Sequence, residues 1–148
     1  MKKLLLLLLL CSSINAFASD VMLWNIPIHS SYLSFCSQLK HKANNSKEES
    51  NCFRCKIEYA GYKDCSVCIY KSADKISRID IKIPRTTETD YLALVSAYSE
   101  KFPTYRQITE RVYNFHDVNL QILVSDLIGK ISVSYIITES KDINKNDF

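Results

Sequence analysis

The chain has 148 residues, with 19 Lys or Arg against 16 Asp or Glu and a formal net charge of +3. That balance lacks the basic footprint of nucleic-acid binding, so no nucleic acid is expected as a partner. Only two glycines occur, Gly61 and Gly129, and no Gly-rich phosphate cradle can be built from them.

The chain opens Met1-Lys2-Lys3, followed by seven leucines from Leu4 to Leu10. A short positive segment and then an apolar run is the pattern of a secretory signal. Ala16-Phe17-Ala18 supplies the small-x-small cleavage motif, so residues 1–18 are expected to be removed and the mature chain to begin at Ser19. The apolar run is too short for a membrane span, which needs about 20 residues. A lipid anchor on Cys11 is disfavoured, because a large residue, Leu10, stands where a small one is wanted. The expected address is periplasmic or secreted, with no integral membrane span. Losing Lys2 and Lys3 leaves 17 basic residues against 16 acidic ones, or +1, on a chain of single-domain size.

Val21 to Ile28 is apolar and reads as a short strand ended at Pro27. Ser30 or Ser31 can cap a helix running to about Lys42. On it Tyr32, Phe35, Cys36 and Leu39 fall at i, i+3, i+4, i+7, so Cys36 faces the core as a buried thiol or a bridge to the sheet. Residues 41–51 are polar and read as an exposed loop.

"CFRCKIEYAGYKDCSVC", residues 52–68, holds two Cys-x-x-Cys pairs. In an exported chain such cysteines read first as disulfides. Zinc binding and thiol exchange are the alternatives. Zinc knuckles usually surround each pair with Gly or Pro, whereas Phe53-Arg54 and Ser66-Val67 look like strand residues. A redox pair would open a helix, whereas Lys56-Ile57-Glu58-Tyr59 alternates like a strand. A three-residue loop at Tyr59-Ala60-Gly61 sets Glu58 opposite Tyr62. Cys55 then faces Cys65 on the core face, and Cys52 faces Cys68 on the other. A two-residue loop at Gly61-Tyr62 would mix the two faces and is disfavoured. One such bridge contributes about 3 kcal/mol. Tyr59 and Tyr62 flank the tip and are a possible anchor for a partner protein.

Strands are expected at 53–59, 64–71 and 76–83, the last ended by Pro84. Thr87 and Asp90 form a capping box with Asp in place of the usual Glu. Tyr91, Leu94, Val95, Tyr98 and Phe102 mark the core face of the helix that follows, and Pro103 stops it. Further strands are expected at 105–114, 118–124 and 130–138, and residues 139–148 form a polar tail.

The expected fold is one α+β domain over 19–138, a two-layer sandwich in which a helix-plus-three-strands unit occurs twice. Its antiparallel sheet would have six to seven strands, with two helices on one face.

No catalytic constellation stands out, so no enzyme activity, cofactor or metal is expected. His29, His41 and His116 lack a second ligand at helical spacing, and His116-Asp117 reads as a turn. Ser30-Ser31 are better caps than nucleophiles. Glu88 and Asp90 suit a helix dipole better than acid–base work. The functional expectation is a small exported protein-binding module, of inhibitor, immunity-type or accessory kind. The alternative is a thiol-disulfide or zinc-binding protein using Cys52, Cys55, Cys65 and Cys68.

Overall fold

The structure, a computed structural model, describes residues 21–138. The expected signal segment, residues 1–18, and the expected polar tail, residues 139–148, lie outside the described residues.

Val21–Ile28 is not one strand. Trp24 and Asn25 both take positive φ, 52° and 62°, and fold the segment into a tight hairpin of β1 (Met22–Leu23) and β2 (Ile26–Pro27). The Trp24 indole N–H donates to the Glu58 carbonyl at 2.8 Å, which ties the hairpin to the main sheet. Helix α1 (Tyr32–Lys42) starts at the Ser31 cap, whose hydroxyl accepts from the Ser34 N–H. It buries Tyr32, Phe35, Cys36 and Leu39, the face its spacing predicts.

Eight strands build the main sheet: β3 (Asn44–Glu48), β4 (Cys52–Tyr59), β5 (Tyr62–Ser72), β6 (Lys75–Ile83), β7 (Tyr105–Thr109), β8 (Val112–Asp117), β9 (Leu120–Asp126) and β10 (Ile131–Ile137). Helix α2 (Glu88–Lys101) lies between β6 and β7 in sequence. The order across the sheet is β3-β4-β5-β6-β10-β9-β8-β7, antiparallel throughout. Each half is a four-stranded meander preceded by a helix, and the halves meet where the last strand of each, β6 and β10, pair. The fold is therefore mostly sheet, broadly consistent with the expected α+β sandwich, but each half has one strand more than expected.

Both extra strands are edges. β3 lies in the segment read as a loop, and its five residues are Asn, Asn, Ser, Lys and Glu. β7 is the first part of the expected 105–114 strand, which a turn at Glu110-Arg111 divides. All five of its residues are exposed. An edge strand pairs on one side only and can lie outside the helix layer, so no buried alternation marks it. Val118, expected in a strand, sits in the β8–β9 turn and is exposed.

Inside the sheet the alternation marks the core face, with an irregularity on β6 where buried Ile76 and Ile79 stand three residues apart. Ile79, Ile81 and Ile83 on β6 and Ile131, Val133 and Tyr135 on β10 are buried. They join the inward residues of both helices in one core. At about 1.5–3 kcal/mol per fully buried large apolar side chain, this core is the main source of stability. The Thr87–Asp90 capping box forms as expected, with the Thr87 N–H donating to Asp90 at 2.9 Å and the Asp90 N–H to Thr87 at 3.3 Å. No helix among the described residues is long and apolar enough to cross a membrane.

Candidate partner-binding face

The cysteine hairpin sets the chemistry of both faces of the sheet. Its turn is Ala60-Gly61, with φ of 53° and 82°, so Tyr59 faces Tyr62 across a two-residue loop. A register shift follows between Ile57 and Tyr59, where β5 carries an extra residue near Asp64, itself at φ 56°. Cys55 consequently faces Val67, Cys65 faces Ile57, Cys68 faces Arg54 and Cys52 faces Tyr70. The expected Cys55–Cys65 and Cys52–Cys68 oppositions do not form. A shorter loop and a one-residue bulge together slide each partner by two positions. A slide of two preserves the faces, so Cys55 and Cys65 both point to the core while Cys52 and Cys68 share the other side. Same-face cysteines are now diagonal neighbours, about 7–8 Å apart by Cα, beyond the usual span of a disulfide. All five described cysteines are free thiols.

The same geometry bears on the thiol and zinc alternative. Residues three apart along a strand point to opposite faces. Cys52 and Cys55 are therefore separated by the sheet, as are Cys65 and Cys68, and neither pair presents a dithiol. Burial pushes the Cys55 thiol up to about 12 and those of Cys36 and Cys65 up to about 11. Burial raises Cys68 too, and the Arg54 guanidinium pulls part of that rise back. Raised thiols are protonated at neutral pH, and the thiolate is the nucleophile. Among the described residues no three His, Cys, Asp or Glu side chains are grouped to hold a metal.

Tyr59 and Tyr62 do not form an exposed anchor. Both are half-buried. The Tyr59 hydroxyl bonds the Tyr98 and Tyr135 hydroxyls in the core. The Tyr62 hydroxyl donates to Asp90 Oδ1 at 2.5 Å. Both phenols are used by the fold because the tip curls over the start of α2.

The other residues singled out from sequence are dispersed. Ser31 caps α1. Asp117 accepts from its neighbour's N–H at 2.7 Å, while His116 lies opposite Gln121 on β9. His41 is in the last turn of α1. Glu88 and Asp90 occupy the first turn of α2.

The sheet face away from the helices is the largest feature that sequence reasoning missed. The register sets Lys56, Ser66, Lys82, Ser132 and Ser125 side by side across β4, β5, β6, β10 and β9. In the next row Lys47, Arg54, Cys68, Asp80 and Ser134 run from β3 to β10. In the third, Arg78 follows Tyr70. Five cations thus project from β3–β6, and all five are exposed. Three acids lie on this side: Glu58 follows Lys56 on the same face of β4 and is exposed, while the other two are engaged. Glu49 pairs with Arg54 at 3.1 Å, and Asp80 pairs with Arg78 at 3.1 Å. Arg78 also lies over the Tyr70 ring, 4.4 Å from its centre. Lys47, Lys56 and Lys82 have no ion-pair partner among the described residues. Lys56 and Lys82 flank Ser66 two strand spacings apart, about 10 Å. The signal was present in the sequence as the polar positions of alternating strands, but only the strand order brings them together. No family model, no curated protein and no solved structure matches this chain.

Proposed function

We propose that this is a small exported protein-binding module, of inhibitor, immunity-type or accessory kind, that meets an acidic partner surface with the open face of its sheet. The observation that carries the reading is the imbalance on that face: five exposed cations against three acids, two of which are already paired. The mature chain is nearly neutral overall, so the positive field belongs to a face rather than to the whole molecule. Such a patch steers an oppositely charged partner and sets its orientation. The leucine-rich segment after Lys2-Lys3 supports export.

The alternative reading, thiol exchange or zinc binding at Cys52, Cys55, Cys65 and Cys68, rests on spacing alone. Strand geometry and raised thiols weigh against it.

Affinity capture from envelope extract, using the chain from Ser19 as bait beside a Lys56→Glu/Lys82→Glu variant, tests the reading. The wild type should retain a partner that the variant loses by tenfold or more and that salt weakens. Equal retention by both, or no reproducible partner, contradicts it.

A further inference from the structure

A cavity of about 310 Å³ opens at the opposite end of the sheet from the cysteine turn. Three segments meet there: the link from β2 to α1, the β5–β6 turn and the end of β10. Half-buried Ile137 gives it an apolar wall backed by the buried Ile28 and Ile76, and its polar groups are His29, Ser30, Ser72, Lys75 and Ser77. Its volume lies at the small end of the range for ligand pockets, about 300–1,000 Å³.

The polar groups are uncommitted. Among the described residues, none of those five side chains makes a hydrogen bond or an ion pair, although most polar pairs elsewhere in the fold serve the structure itself. Lys75 brings a full positive charge, and no acidic side chain lines the cavity. The first turn of α1, which begins beside Ser30, also carries no acid to oppose an anion. One ammonium, one imidazole and three hydroxyls around an isoleucine wall match one ligand chemistry. The head must be a small anion that accepts several hydrogen bonds, and the body must be short and aliphatic.

We infer that this cavity is a binding site for a small aliphatic carboxylate, whose head is held by Lys75 and the serines and whose chain lies against Ile137, with the buried Ile28 and Ile76 behind it. The site is independent of the open face and does not rest on protein binding there. Lys75 supplies the charge. The hydroxyls distinguish a carboxylate from a plain alkane, and the isoleucines distinguish it from a bare inorganic anion.

Two-dimensional amide NMR of the mature chain titrated with hexanoate tests this, with the neutral hexanamide as comparison. Hexanoate should give saturable shifts confined to residues 28–30, 72, 75–77 and 137. Hexanamide should bind at least tenfold more weakly, and so should hexanoate to Lys75→Met, which keeps the stem at the exposed first position of β6. The inference is overturned if hexanoate gives no saturable shift up to about 10 mM, if the shifts map elsewhere, or if hexanamide or the variant matches the wild-type response to hexanoate.

Discussion

The hydroxyls of Tyr98 on α2 and Tyr135 on β10 lie 2.6 Å apart in the core, and the Tyr59 hydroxyl bonds both. Three phenols from three elements thus satisfy one another, with the Tyr98–Tyr135 bond buried. Each hydroxyl can donate once and still accept, so a ring of three is self-sufficient. Tyr135→Phe should cost about 1–3 kcal/mol, because two buried hydroxyls each lose a partner. Urea unfolding measures it, and a loss below about 0.5 kcal/mol, the scale of surface substitutions, would show that the ring adds nothing.

The same burial gives an alkaline limit. Tyr98 and Tyr135 are held well above the usual phenol value, and the Cys55 thiol is pushed up to about 12. In the unfolded chain thiols titrate near 8.5 and tyrosines near 10. The folded state keeps these protons after the unfolded state has released them, so rising pH favours unfolding. The contribution is fully present below about pH 8 and is lost progressively from about pH 9 upward. Unfolding free energies that stay flat between pH 8 and pH 11 would contradict this.

Free thiols make a second contrast. Reductant should leave the unfolding midpoint of the purified chain from Ser19 unchanged. A domain stapled across its hairpin would lose about 2–5 kcal/mol on reduction. Timed alkylation adds detail: Cys68, half-buried on the open face, should react ahead of Cys36, Cys55 and Cys65.

Ile128 stands at the β9–β10 turn with φ 54° and 97% of its surface exposed. A β-branched residue is strained in that conformation, while Asn tolerates it. Ile128→Asn should therefore raise stability by about 1 kcal/mol. A thermal midpoint that falls instead would mean that the isoleucine side chain contributes more than its exposure indicates.

The sequence made the interior legible and left the edges hidden. Leu39 and Phe35 mark the core face of α1, and Ile79, Ile81 and Ile83 mark β6, because burial imposes a period on both. Asn44–Glu48 is a strand without a buried face and reads as a loop, whereas Tyr105–Thr109 reads as strand but the turn at Glu110-Arg111 that makes it a separate edge leaves no signal. The hairpin register depended on an extra residue near Asp64 that no local signal announces, so the faces of Cys52 and Cys55 could be read while their partners could not. The open face could not be read at all from the chain, since Lys56 and Lys82 become neighbours only through the order of β4, β5 and β6.

Lysine acetylation footprinting, with and without a captured partner, addresses the open face most directly. Lys47, Lys56 and Lys82 should lose reactivity in the complex, while Lys71 and Lys75 near the other end of the sheet and Lys130 in the β9–β10 turn keep theirs. Unchanged reactivity at Lys56 and Lys82, with protection at Lys71, Lys75 or Lys130, would place the partner elsewhere and contradict the proposed use of this face.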